Sequence, residues 1–219
     1  LNKNNYKINN DEPTKEDTLE REHYAEAFAN IAETCYTPLV VGIYGTWGMG
    51  KTSLMQQIED KLDKNKTISI WFDPWLHQFD ENPILSLAHK IVDELGTEMK
   101  EDWKEILFAI TVALSSVLLK RYLTMKSEDI EDPLKKYEED NFIIRDVQVK
   151  LKEHFNNLVK KAKGKENKRL VFFIDDLDRC TNKQALKLLE ALKLYLNIEE
   201  CVYFLGLDPK ALGCVLNFL

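Results

Sequence analysis

Four cysteines, at 35, 180, 201 and 214, are spread through 219 residues with no C-x-x-C pair and no neighbouring His-x3-His. That spacing argues against a structural zinc site or a disulfide framework and fits free thiols in a reducing cytoplasm. His23, His77, His89 and His154 share no metal-ligand spacing either, and read as structural or surface residues. A basic surplus is also lacking. Lysine and arginine number 30 against 37 acidic residues, a net charge of −7, so there is no global electrostatic footprint for nucleic acid. The local cluster Lys160, Lys161, Lys163, Lys165, Lys168 and Arg169 around Gly164 reads as a solvated helix end and loop, with a surface for a phosphate-rich or acidic partner as the alternative. Long hydrophobic runs are missing as well. The uncharged stretch Ile106 to Leu119 has 14 residues without glycine or proline. As a helix it would span about 21 Å, short of a hydrocarbon core of roughly 30 Å. It reads as a buried core or partner helix. Membrane contact is the alternative, because Trp103 and Tyr122 flank it and Lys120-Arg121 closes it. No signal peptide is recognisable and the first residue is Leu1, which reads as a piece of a longer protein, cytoplasmic or at the inner face of a membrane.

What is present centres on one glycine-rich segment. Gly45-Thr46-Trp47-Gly48-Met49-Gly50-Lys51-Thr52 fits G-x-x-x-x-G-K-[ST]. The apolar run Leu39 to Tyr44 before it reads as a buried strand, and Thr52 to Ile58 after it reads as a helix. In such a loop the glycines let successive N–H groups turn inward around phosphates, and the positive end of the helix dipole adds to the attraction. Lys51 is placed to reach the β- and γ-phosphates of a nucleoside triphosphate, and the Thr52 hydroxyl to ligate Mg²⁺. The candidate nucleotide-binding residues are therefore Gly45 to Thr52 and the adjoining Ser53.

Along the chain, residues 1–16 are polar and asparagine-rich and read as a flexible lead-in; residues 17–219 read as one domain. A helix is expected over Asp17 to Thr34, with Leu19, Tyr24, Ala27, Phe28 and Ile31 on its apolar face. A second strand, Thr67 to Asp73, ends in Trp71-Phe72-Asp73-Pro74-Trp75. A helix opens at Pro83 and runs through Leu85, Leu87, Ile91 and Leu95. An amphipathic helix, Asn141 to Lys163, precedes a third strand, Leu170 to Ile174. Helix Asn182 to Leu196 and a fourth strand, Cys201 to Leu207, complete the pattern. Strands alternating with helices imply an α/β fold, a three-layer sandwich around a mainly parallel sheet.

The third strand stops at Asp175-Asp176, where a carboxylate beside the phosphate loop can hold Mg²⁺; Asp175 takes that role. Asp176 is the candidate catalytic acid–base that accepts a proton from, or orients, the attacking water. Neighbouring residues of a strand point apart, so only one of the two can face Mg²⁺, and Asp176 has helix capping as its alternative. Arg179 is a candidate finger for transferred-phosphate charge, with an internal salt bridge to Asp178 or the lead-in helix as its alternative. Asp208, closing the fourth strand, is a candidate γ-phosphate sensor, with capping before Pro209 as its alternative.

Taken together, the tryptophan-bearing loop Gly45 to Thr52, the Trp71 to Trp75 strand end and Asp175-Asp176-Leu177-Asp178-Arg179 make the chain resemble the KAP family of P-loop NTPases, in the STAND and AAA+ branch. The resemblance implies an ATPase with Mg²⁺ that acts as a regulated switch or assembly engine, often membrane-linked. Bacterial relatives are associated with defence against phage or plasmids, and animal relatives with signalling scaffolds. It also implies helices inserted between the two phosphate motifs. Lys51 and Asp175 lie 124 positions apart, and the insertion is expected at about 100–165. The Ile106 to Leu119 run is shorter than the paired spans of many relatives. The family's last strand and a later sensor arginine or lid are expected beyond Leu219, so the domain reads as truncated there.

Three other readings compete with a hydrolysing ATPase. A small-molecule kinase uses the same loop but usually closes an arginine-bearing lid, and this chain has five arginines in all. A guanine-specific switch needs Asn-Lys-x-Asp, and the nearest match, Asn182-Lys183-Gln184-Ala185, lacks the acid. A non-hydrolysing scaffold would bind nucleotide and dock a partner or membrane through its insertion. Self-association or a protein partner, through inserted or missing segments, is expected in either of the leading cases.

Overall fold

A computed structural model of the chain describes residues 20–77, 83–94, 168–194 and 198–209, with seven helical residues between 149 and 160. The lead-in at 1–16, the run Ile106 to Leu119, most of the insertion, Leu95 and Cys214 lie outside the described residues. In chain order the elements are α1 (Glu22–Thr34), β1 (Leu39–Tyr44), α2 (Lys51–Lys61), β2 (Thr67–Phe72), α3 (Pro83–Glu94), β3 (Arg169–Ile174), a 3-10 turn (Leu177–Arg179), α4 (Asn182–Leu194) and β4 (Cys201–Leu207).

The strands form one parallel sheet in the order β1-β4-β3-β2. β3 and β4 pair on both sides and are covered on both faces, which is why RLVFFI and CVYFLGL read as apolar strands. β1, LVVGIY, expected as a buried strand, is corrected to an outer strand of the order in which only Ile43 is buried and Val40 and Tyr44 are exposed. Alternation along β3 sends Leu170, Phe172 and Ile174 to one core and Val171 and Phe173 to the other. The first core takes Leu87, Ala88 and Ile91 of α3 and Ala185, Leu188 and Leu192 of α4. The second takes the alanines of α1 and Met55 and Ile58 of α2. Register lines up aromatic rings across strands: Trp71 stacks on Phe173 at 4.8 Å, and Phe173 on Phe204 at 5.3 Å. Offset-stacked rings add to the area they bury and pin the register.

The expected apolar face of α1 is corrected. Tyr24 and Ile31 are exposed, and Ala25, Ala29 and Ala32 are buried instead, with Phe28 packed against the core. Small side chains let α1 approach α2 and the sheet closely, which large residues on that stripe would prevent. The helix begins at Glu22, with Glu20 and Arg21 outside it; Leu19 of the expected face lies outside the described residues. Salt bridges from Lys61 of α2 to Glu22 and Glu26 of α1 tie the two helices on their outer side. Among the described residues no helix is long and apolar enough to cross a membrane. Cys35, Cys180 and Cys201 form no disulfide, and burial pushes the Cys180 thiol up to about 11.

Candidate nucleotide-binding site

All four strands run in the same direction, so the segments that follow their C-terminal ends meet on one side of the sheet. After β1 the chain turns through the glycine-rich loop into α2. The Gly45 N–H donates to Leu207 O at 3.0 Å, fastening the loop's start to the end of β4. Gly50, at the helix N-cap, has φ 76° and ψ 32°, and Gly48 also has φ 76°. Those left-handed conformations strain any residue with a Cβ, so the turn into α2 needs glycine there. Arg21, just before α1, donates from Nη1 to Met49 O at 2.9 Å and braces the loop from outside.

The two sequence motifs meet. Thr52 Oγ1 donates to Asp175 Oδ2 at 2.5 Å across 123 positions of chain. Asp175 is buried, and its Oδ1 accepts the Asp176 N–H at 2.9 Å. Room for this carboxylate comes from β4: a Cβ on Gly206 would lie 2.7 Å from Asp175 Oδ1 and 3.1 Å from Met55 Cε. Lys51 is 8% exposed; its Nζ donates to Gly45 O at 3.0 Å and lies 3.7 Å from Asp178 Oδ2. A cleft of about 720 Å³ opens over this group. Loop residues from Trp47 to Ser53 form one wall, and Asp73, Asp175, Asp176 and Arg179 stand opposite. Sites for small ligands and cofactors fall in the same size range, roughly 300–1,000 Å³.

Strand alternation does not separate the two adjacent aspartates. β3 ends at Ile174, and Asp176 takes a left-handed backbone, φ 52° and ψ 27°, so both side chains line the cleft. Only Asp175 touches Thr52. Asp176 precedes the 3-10 turn but makes no side-chain cap hydrogen bond. Burial and the adjacent Asp175 carboxylate raise its carboxyl to about 6, against an opposing pull from Arg179. Arg179 Nε pairs with Asp176 Oδ1 at 2.9 Å, which corrects the expected pairing with Asp178 or α1. Its guanidinium carbon also sits 5.8 Å from the centre of the Trp75 ring. Asp73 Oδ1 accepts the Trp75 N–H at 2.9 Å, holding the turn that presents this tryptophan. Asp208 follows β4, is partly buried, directly precedes helical Pro209 and is not on the cleft wall.

Sequence reasoning passed over Arg21, Gly206 and the Lys51–Asp178 pair. A glycine inside an otherwise apolar strand is itself a sign of close approach, and that signal was there for Gly206. Nothing local announces the other two.

A parallel α/β sheet with a glycine-rich loop after its first strand, meeting an acidic strand end, defines a P-loop domain. The family model for the KAP family P-loop domain matches residues 21–217, and the chain belongs to that family. An uncharacterized protein of Methanocaldococcus jannaschii is 27% identical over 180 residues, covering 63% of this chain and 89% of the relative. Family membership implies nucleotide binding.

Proposed function

We propose that this chain binds Mg·ATP in the cleft over the glycine-rich loop and hydrolyses it to drive or regulate a conformational or oligomeric switch. The observation that carries the reading is the Thr52–Asp175 hydrogen bond, which unites the loop and the acidic strand end in one oxygen-donor pair. Such a hydroxyl and carboxylate suit Mg²⁺, which takes one or two protein oxygens and completes its shell with phosphates and water. Among the described residues no group of three or more His, Cys, Asp or Glu is placed to hold an ion without a substrate. When bound there, Mg²⁺ would neutralise charge on the β- and γ-phosphate oxygens.

The protein's own groups have separate tasks. Backbone N–H groups of the loop, Gly45 and Met49 apart, and of the first turn of α2 cradle the phosphates, and Lys51 supplies a mobile positive charge. Asp176, raised to about 6, is mostly ionised at neutral pH yet basic enough to take a proton from water as the terminal phosphate bond breaks. Arg179 holds Asp176 on the cleft wall and is the candidate to meet charge on the transferred phosphoryl group. Asp208 is the candidate sensor.

The Arg179–Asp176 pair also favours a second reading, in which nucleotide is bound without turnover because the acid is engaged. Single-turnover hydrolysis of Mg·ATP and Mg·GTP, with affinities measured in parallel, tests both. Cleavage of ATP that disappears in Lys51→Ala supports the enzyme; tight binding without cleavage supports the scaffold. For Lys51→Ala, affinity for Mg·ATP should fall on the order of a hundredfold, the value of a lost charge-assisted hydrogen bond. Unchanged affinity would remove the loop from the site.

A further inference from the structure

Asp178 is the acidic residue of the Asp175 to Arg179 segment to which the proposed hydrolysis gives no task. It lies on the single-turn 3-10 helix and is not on the cleft wall. Its side chain is 11% exposed, with Oδ2 3.7 Å from Lys51 Nζ, while Oδ1 is buried and accepts no hydrogen bond. A separation of 3.7 Å is beyond hydrogen-bonding range, so the two side chains attract by charge alone. Lys51 gives an ordinary hydrogen bond, 3.0 Å, to Gly45 O instead. An ammonium has three donors, and an attraction that engages none of them well is readily exchanged for a phosphate oxygen that does.

The local charge balance points the same way. The cleft wall carries Asp73, Asp175 and Asp176 together with Lys51, Lys90 and Arg179, and of these cations Arg179 is paired with Asp176 and Lys90 with Glu94. Asp178 adds a further negative charge behind Lys51. A polyphosphate arriving in front of Lys51 therefore meets a cation that another anion is drawing back.

We infer that Asp178 is a counter-ion that competes with the nucleotide's phosphates for Lys51, holding affinity below what the loop alone would give. This rests on reading the cleft as a nucleotide site. Once Lys51 engages phosphate, Asp178 is a buried carboxylate without its cation, an arrangement proteins relieve by moving the group. Asp178 and Arg179 share one short turn, so that relief reaches the Arg179 hold on Asp176. Nucleotide binding and the setting of the catalytic acid are thereby linked through three residues.

The test combines Mg·ATP affinity by calorimetry with thermal melts in nucleotide-free buffer. Asp178→Asn keeps the shape and removes the charge, and should bind Mg·ATP on the order of tenfold tighter than wild type. Equal or weaker affinity would overturn the competition. Asp178→Ser, also neutral, should tighten binding in the same direction and serves if the asparagine variant folds poorly. In the melts, Lys51→Met should lower the transition, because it strands Asp178, and adding Asp178→Asn should restore part of the loss. Strictly additive effects of the two substitutions would dissolve the ion pair. Wild type that fails to bind Mg·ATP would defeat the nucleotide reading and the competition with it, while the melts would still judge the pair.

Discussion

Asp176 has a left-handed backbone and a carboxyl raised to about 6, and both follow from its place two residues past the end of a buried strand. The turn that stops β3 swings the side chain back toward the cleft, where burial and Asp175 disfavour its charge. Asp176→Asn should keep Mg·ATP binding, since Thr52 and Asp175 are untouched, and should lose turnover by about 10²–10⁴-fold, the range of a general base. Normal turnover would leave Asp176 a structural residue. The same substitution has a pH signature. Because the folded carboxyl sits above its ordinary value of 3.8, the folded chain binds a proton more readily than the unfolded one between 3.8 and about 6. Wild type therefore loses stability as pH rises through that window, and the penalty is complete above it. Melts should show Asp176→Asn gaining on wild type at pH 7.5 and the gain vanishing near pH 4; a gain that grows toward acid would reverse the sign and refute the burial argument. Asparagine is also well tolerated at a positive φ.

Helix α1 shows where element-level reading succeeds and where it fails. Its existence was legible from periodicity, but of the expected face only Phe28 packs on the core; Tyr24, Ala27 and Ile31 are exposed, and Ala25, Ala29 and Ala32 are buried. Alanine carries little weight in a count of apolar positions, although close packing of two helices selects for it. Ala29→Leu should lower stability by about 1–3 kcal/mol through overpacking, whereas Ile31→Ala, at an exposed position, should change it by less than about 0.5 kcal/mol. Thermal or denaturant unfolding of the two variants checks the order; the reverse ranking would restore the larger residues to the core. Strands were read more closely. β4 was placed over Cys201–Leu207 and β3 within one residue of Arg169–Ile174, because both are unbroken apolar runs ended by aspartate. Within the site, what is tied to local spacing, the left-handed Gly50 at the start of α2 and the meeting of Thr52 with the acidic end of β3, could be anticipated from the chain. The contacts of Arg21 with Met49 and of Lys51 with Asp178 could not, since each depends on how separate elements pack.

At the scale of the whole molecule, the sheet order inserts β4 between the strand that leads into the loop and the strand that ends at Asp175. β3 and β4 are almost entirely buried, and each pairs on both sides. A ligand held jointly by the loop and by Asp175 thus stabilises the sheet as a unit. Mg·ATP at about a hundred times its dissociation constant should add roughly 2.7 kcal/mol to unfolding, seen as one upward shift of a single melt. A shift confined to an early, partial transition would place the ligand on a separately folding piece.

The Thr52–Asp175 contact also has a consequence for synthesis. With 123 positions between its partners, the growing chain carries a complete glycine-rich loop long before its acidic counterpart has been made. Until Asp175 has left the ribosome and β3 has taken its place, the loop has only the hydroxyl half of the proposed magnesium pair. If the cleft takes nucleotide as proposed, capture waits until Asp175 has been made and β3 has joined the sheet, so a newly made molecule that holds nucleotide is one that has already assembled its sheet.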